Sequence, residues 1–266
     1  MDAARRLVLT TAEVAALAAA AGVVLPSGFP ADPNAAAEAS LAARGLVVGD
    51  PPRPVPALAT TLGVLGRPTV GVRVEVAGQG LGLRAVYAVA GPLGAGLLTL
   101  PGEQVELSVF PAEAVGRELI RAVPEPDAFG GGRTRVSAVL GQEDGVSLAG
   151  RLPLAALEHF DHLDRFGGPD ATRALGLTQA QARLAQRLTD SGTATLRALV
   201  TGHADDDAYV GQVVWIATGH GWVGIRPIPD ETGQRMVELV PVARRDIGVW
   251  LAPAIAELVE VHSGQP

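Results

Sequence analysis

The chain has 266 residues, of which 48% are hydrophobic and only 4% aromatic, so it can bury a sizeable core built mainly from Val, Leu, Ile and Ala. It contains no cysteine, which excludes disulfides and thiolate metal sites, and we expect a reducing, cytoplasmic location. The net charge is −7 with arginines scattered among acidic residues, and no run of about 18 apolar residues occurs, so neither nucleic-acid binding nor membrane insertion is predicted.

Residues 1–124 predict one α+β unit. Val70, Val72, Val74 and Val76 alternate with smaller or polar residues, which is typical of a strand with one wet face. Short Gly/Pro turns separate the strands that follow, so an antiparallel meander is expected. The predicted elements in chain order are a strand at 6–10, helices at 11–22, 34–45 and 56–65, strands at 70–76, 83–90, 96–100 and 105–110, and a closing helix at 113–123.

The second half, 133–266, repeats this order after a Pro- and Gly-rich linker predicted at 125–132. Pro253 lies inside the last predicted helix and is expected to kink it, because proline lacks the N–H that a helix interior needs. The predicted elements are a strand at 135–140, helices at 152–165 and 178–188, strands at 194–202, 209–218, 222–227 and 236–241, and a closing helix at 244–261.

A spacing of 132 residues relates the two halves. Val105-Glu106-Leu107 returns as Val237-Glu238-Leu239, and Gly116 returns as Gly248. We therefore predict an α+β fold of two quasi-symmetric halves, each an antiparallel meander with flanking helices, packed as one body. Gly116 and Gly248 are expected where each closing helix meets its sheet, since a missing side chain permits close approach.

No motif in the chain indicates catalysis or a cofactor. His159 and His162 are three residues apart and could share a metal, but a third ligand is not evident. Residues 205–207 are three aspartates without the alternation and glycine of a calcium loop. The glycine-rich stretches 78–82 and 91–96 lie between predicted strands, whereas a phosphate cradle needs a helix after it. We predict no enzyme activity, no metal and no cofactor.

The tryptophans are confined to the second half, at positions 215, 222 and 250. Trp215 shares one strand face with Tyr209, and two interpretations stay open: core packing, or a recognition surface in which aromatic residues dominate the binding energy. For the second interpretation we predict a partner surface across the strands 209–218 and 222–227. Its residues are Tyr209, Trp215, Trp222 and Arg226, with Asp206 at the rim.

The order of these elements, with several local strings, resembles the EspG family of type VII (ESX) secretion-associated proteins. The resemblance covers nearly the whole chain, and its evidence is the order of loose motifs. The matching stretches are 7–22, 44–46, 70–124, 175–177, 194–218, 221–223 and the helix from residue 244. It implies two quasi-symmetric α+β halves and a cytosolic chaperone that binds the tip of PPE-like secreted proteins before export.

Two functions follow. The first is a chaperone or adaptor for PPE-like or WXG-like secreted proteins, without catalysis. The alternative is a small-molecule-binding or hydrolytic α+β domain, which requires a deep apolar pocket with convergent polar groups.

Overall fold

The computed structural model describes residues 4–29, 32–78, 80–129, 148–158, 175–204, 207–229 and 235–263. The strands are β1 (Arg5–Thr10), β2 (Val47–Val48), β3 (Arg53–Pro54), β4 (Val70–Gly78), β5 (Leu81–Ala90), β6 (Leu93–Leu100), β7 (Gln104–Pro111), β8 (Gly150–Pro153), β9 (Gly192–Ala204), β10 (Asp207–Thr218), β11 (Gly221–Ile228) and β12 (Met236–Val242). The α-helices are α1 (Thr11–Ala21), α2 (Ala35–Ala43), α3 (Pro56–Gly66), α4 (Val115–Leu119), α5 (Leu154–Glu158), α6 (Gln179–Ser191) and α7 (Ile247–Ser263).

Local chemistry accounts for several of these boundaries. The alternating valines of β4 are all buried, as their period of two predicts. Thr10 caps α1: its hydroxyl accepts from the Glu13 N–H, and the Glu13 carboxylate accepts from the Thr10 N–H at 2.8 Å. Thr178 and Gln181 form the same reciprocal pair at the start of α6.

Ten strands form one antiparallel sheet in the order β1-β7-β6-β5-β4-β9-β10-β11-β12-β8. Both predicted meanders are antiparallel, as expected. The halves join where β4 pairs with β9, from Val70 opposite Gly202 to Gly78 opposite Ala194. The order is symmetric about this junction, because β1 pairs with the last strand of the first meander and β8 with the last strand of the second.

Helices cover both faces of the sheet. Closing helices α4 and α7 lie on one face and bury a core that spans both halves, with Leu119, Ile247 and Leu258 among its members. On the opposite face, α1, α2 and α3 cover the first half, while α5 and α6 lie over β8, β11 and β12 of the second. The fold class is therefore α+β, with the shared core between the sheet and the two closing helices.

The two repeated glycines correct one expectation. Gly116 and Gly248 do not meet the sheet; they meet each other where α4 crosses α7. A Cβ built on Gly248 would lie 3.1 Å from the Gly116 Cα, closer than ordinary van der Waals contact. The glycines thus permit backbone-to-backbone contact between the closing helices of the two halves.

Other differences are local. Pro126–Phe129, in the predicted linker, forms a 3₁₀ turn, and Phe129 is buried in the shared core, so this stretch is packed. The helix expected at 152–165 begins as strand β8 and becomes helical only at Leu154. The predicted strand at 135–140 and the histidines His159 and His162 lie outside the described residues.

Candidate partner-binding surface

Two of the predicted contact residues are interior. Trp215 is fully buried and Trp222 is 2% exposed, so the expectation that these rings offer an exposed surface is wrong. The Trp222 indole N–H donates to the Pro124 carbonyl at 3.1 Å, which ties β11 to the end of the first half. The alternation of side chains along β10 correctly predicted that Trp215 and Tyr209 lie on the same face of the strand. That face is covered by α7.

The tryptophans belong to a row of aromatic contacts that leads from the core to the surface. Ring centroids are 5.9 Å apart for Phe129 and Trp222, 6.3 Å for Trp222 and Trp215, and 5.8 Å for Trp215 and Trp250. Such edge-to-face or tilted pairs contribute about 0.5–1.5 kcal/mol each beyond the area that they bury. The row ends at the surface, where the Arg226 guanidinium lies 5.0 Å from the centre of the Trp250 ring.

Sequence reasoning missed Trp250 as the support of Arg226. The ring fits because β11 carries glycine beneath it: a Cβ on Gly224 would lie 2.4 Å from the Trp250 ring. Trp250 is half-buried, whereas Arg226 is exposed. A cation held on an aromatic face keeps its guanidinium plane fixed, with donors free at its edges.

Tyr209 lies along the same flank of α7. It is half-buried, and its hydroxyl donates to the Glu257 carboxylate; burial first, and then Glu257, raises the pKa of Tyr209. Trp250 and Glu257 are two helical turns apart, about 10 Å along the axis. The structure therefore brings Tyr209 and Arg226 to one side of α7. Asp206 lies outside the described residues.

The outward side of α7 was also missed from the sequence. Ile247, Leu251 and Leu258 are buried beneath the helix, yet its opposite side is apolar too, with Val249 72% and Val259 40% exposed. A helix that is apolar on all sides is normally buried. The signal was present in the sequence, because the segment 247–259 contains a single charged residue, Glu257.

The clefts bear on the small-molecule alternative. A cleft of about 940 Å³ lies between α1 and α3, and another of about 760 Å³ lies between α1, α2 and the segment 47–53. Both are lined largely by alanine and glycine, and Arg53 borders both. The ring of Trp215 is fully buried. These two clefts lie against the first-half helices and away from the tryptophans.

Across the part of the chain that the structure describes, no three His, Asp or Glu residues lie close enough together to hold a metal. Nor is any helix in those ranges both long and apolar enough to cross a membrane.

The fold is an α+β architecture in which two crossing helices, α4 and α7, cover one face of a ten-stranded antiparallel sheet. The EspG family model (ESX-1 EspG) matches residues 30–252, and the chain belongs to the EspG family. The structure is similar to that of the type VII secretion system chaperone EspG5 of Mycobacterium tuberculosis, solved in complex with a PE25–PPE41 dimer. That match has a TM-score of 0.61 and 14% identity, and it covers 94% of this chain and 96% of EspG5.

A second solved structure, HtdX of Mycobacterium tuberculosis, aligns at 12% identity over 89% of this chain and 98% of HtdX, with a TM-score of only 0.13. Among curated protein sequences, none matches this chain significantly.

Proposed function

We propose that this protein is a cytosolic chaperone of a type VII (ESX-like) secretion system, which binds a PPE-like secreted protein and keeps it soluble before export. The observation that carries the proposal is family membership over residues 30–252 together with an end-to-end likeness to EspG5, whose structure contains a PE25–PPE41 dimer. On this proposal the protein works by binding and not by catalysis.

Arg226 and Tyr209 are the residues that we propose to contact the partner, which we call the client. Arg226 forms no ion pair with any residue that the structure describes, and its stacking on Trp250 limits the side-chain entropy that binding would cost. It is suited to a carboxylate of the client. Trp215 and Trp222 act indirectly in this proposal, because they hold β10 and β11 beneath α7. Asp206 would add a rim charge, which chiefly tunes the association rate.

The proposal is tested by co-expression. A PPE-like protein encoded beside this chain, together with its PE-like partner, is produced with and without the chaperone. We expect the client to be insoluble alone and to co-purify with this chain as a soluble complex. A client whose soluble yield is the same in both cases, or that never co-purifies, contradicts the proposed function.

The surface is tested by matched arginine variants. Arg226→Ala is expected to weaken client binding about 30-fold, the equivalent of about 2 kcal/mol for an interface anchor, with an unchanged melting temperature. Arg117→Ala is the control, since Arg117 is exposed on α4, the closing helix of the first half. If both variants bind the client as tightly as the wild type does, the chaperone proposal stands and the assignment of the binding surface is wrong.

A further inference from the structure

The two clefts beside α1 adjoin at the C-terminal end of that helix. We call the one between α1 and α3, of about 940 Å³, the α3 cleft, and the one beside α2, of about 760 Å³, the α2 cleft. Ala19, Ala20 and Arg53 border both, so the clefts are neighbouring parts of one depression. Each volume lies within the range of about 300–1,000 Å³ that small-molecule sites occupy.

Arg53 is held between the two clefts by the short β2–β3 ribbon. Val47 pairs with Pro54, and both are buried, whereas Val48 pairs with Arg53, and both are exposed. The ribbon therefore turns Arg53 outward beside an apolar side chain. Arg67, the residue after α3, borders the α3 cleft. Neither guanidinium has a hydrogen bond or an ion pair with any residue that the structure describes.

Charge is distributed unevenly around the depression. Arg53 and Arg67 border the α3 cleft, and no acidic residue is among the described residues that line it. Glu38 and Asp50 border the α2 cleft, so an anionic group is favoured in the α3 cleft and disfavoured in the α2 cleft. The rest of the α2 cleft is largely apolar, with a lining that includes Ala16, Ala35, Ala39, Leu41, Ala42 and Val47.

Gly63 lies within α3 at a position where close packing does not require glycine. A Cβ built on Gly63 meets no atom within 4 Å, whereas a Cβ on Gly66 would lie 2.7 Å from the Val23 side chain. Glycine inside a helix is unfavourable relative to alanine, so its presence at position 63 calls for a reason. Gly63 lines the α3 cleft, and a side chain there would narrow it.

We propose that this depression binds a free fatty acid, a single acyl chain that ends in a carboxylate. The carboxylate lies in the α3 cleft between Arg53 and Arg67, whose guanidinium groups match its geometry. The acyl chain passes over Ala19 and Ala20 into the α2 cleft. A bilayer surface fits less well, because the apolar lining is concave and the two acidic residues of the α2 cleft would face anionic head groups. This site goes beyond the proposed chaperone function and does not depend on it.

The first experiment is calorimetric titration of the full chain with decanoate and dodecanoate, both kept below micelle-forming concentrations. Dodecanoate is expected to bind at a single site and about 15-fold more tightly than decanoate, because each buried methylene strengthens binding about fourfold. Dodecylammonium, which has the same chain and the opposite charge, is expected to bind far more weakly. A lack of saturable dodecanoate binding overturns the proposal, as does equal binding of dodecylammonium.

Matched leucine variants test the location. Gly63→Leu and Ala39→Leu place a side chain in the α3 cleft and the α2 cleft, and each is expected to weaken dodecanoate binding about tenfold or more. The controls, Ala57→Leu on α3 and Ala36→Leu on α2, change exposed residues that line neither cleft, so they should bind like the wild type. All four positions are exposed, so melting temperatures should change little. Equal binding by cleft and control variants contradicts the site.

The double variant Arg53→Gln/Arg67→Gln tests the carboxylate contact. An exposed ion pair strengthens binding by up to about fivefold, so the double variant should bind dodecanoate up to about 25-fold more weakly. Uncharged dodecanol should bind the wild type and the double variant equally, and an equal loss for both ligands contradicts the charge pairing.

Two other outcomes would assign the depression to a different partner. If dodecanoate does not bind but the protein sediments with phosphatidylglycerol vesicles, the depression is a membrane contact and the fatty-acid proposal is wrong. If dodecanoate does not bind but the double arginine variant loses client binding, the depression belongs to the client surface. The chaperone proposal stands in either case, because its own test is co-purification of the client.

Discussion

The crossing of α4 and α7 yields a prediction in which two glycines of one contact respond in opposite ways to the same substitution. A Cβ on Gly116 would lie 3.7 Å from the Gly248 Cα, an ordinary contact. A Cβ on Gly248 would lie 3.1 Å from the Gly116 Cα and 3.2 Å from its carbonyl oxygen. These neighbours are backbone atoms, so only a shift of the whole helix can relieve the second contact.

The magnitudes follow from two opposing effects. Alanine gains about 1 kcal/mol over glycine within a helix, so Gly116→Ala is expected to raise the free energy of unfolding by up to about 1 kcal/mol. Gly248 is likewise the second residue of its helix, so Gly248→Ala has the same propensity gain, but overpacking costs about 1–3 kcal/mol. The net loss is therefore up to about 2 kcal/mol. At roughly 2–4 °C per kcal/mol, the two variants should melt several degrees apart.

The assay is urea unfolding monitored by tryptophan fluorescence. This signal is suitable because Trp250 projects from α7 itself and contacts Trp215. Circular dichroism melting curves give an independent measurement. The double variant is expected to be less stable than the sum of the single changes, since the two methyl groups share one contact. Equal stability of Gly116→Ala and Gly248→Ala, or a stabilised Gly248→Ala, would refute the proposed backbone contact.

Three further predictions concern the interior. Trp222→Ala is expected to lower the free energy of unfolding by about 3–5 kcal/mol, because it leaves a cavity and an unpaired Pro124 carbonyl. The measurement is urea denaturation, and a change below about 1 kcal/mol would contradict the core role of Trp222. Burial works against the charge of Glu13, but hydrogen bonds from Ser40, the Thr10 N–H and Arg44 outweigh it and lower its pKa. The resulting stability is present above the ordinary value of 4.5 and is lost as pH falls through the lower folded pKa, so Glu13→Gln should flatten the acid side of a stability–pH curve. Burial, and then Glu118, raises the pKa of Tyr87 above its ordinary value of 10, so the stability that this group contributes is complete below pH 10 and is lost as pH rises further. The Tyr87→Phe variant should therefore lose less stability than the wild type at alkaline pH. Identical stability–pH curves for the two proteins would contradict this.

The sequence was sufficient where the pattern was local. The alternation in β4 predicted its buried face, and apolar runs separated by short Gly/Pro turns predicted the antiparallel strands. A threonine at the start of the first helical stretch indicates a cap, and the structure shows the reciprocal pair of Thr10 and Glu13 in full. The antiparallel order and the closing helices are therefore predictable from short-range patterns of apolar, glycine and proline residues alone.

The rest depends on long-range pairing. The register of β4 against β9 relates residues more than 115 positions apart, and nothing local specifies it. The same limit explains the tryptophans: strand parity groups Trp215 with Tyr209, but only the position of α7 decides that this face is covered. The prediction that Gly116 and Gly248 contact the sheet was wrong for a similar reason. A glycine in the sequence indicates that another element approaches closely, but it does not show which element that is.

The junction between β4 and β9 has a consequence for aggregation. Each of these strands would be a long, unprotected edge in an isolated half, and unpaired edges recruit further strands from other molecules. Joined together, they leave β1 and the four-residue β8 as the outermost strands of the ten-stranded sheet. On β1, Arg44 donates to the Val8 carbonyl and Glu13 accepts from the Thr10 N–H, so part of that edge is already occupied. The sheet of this protein thus offers only one very short edge strand and one partly occupied edge strand to other molecules.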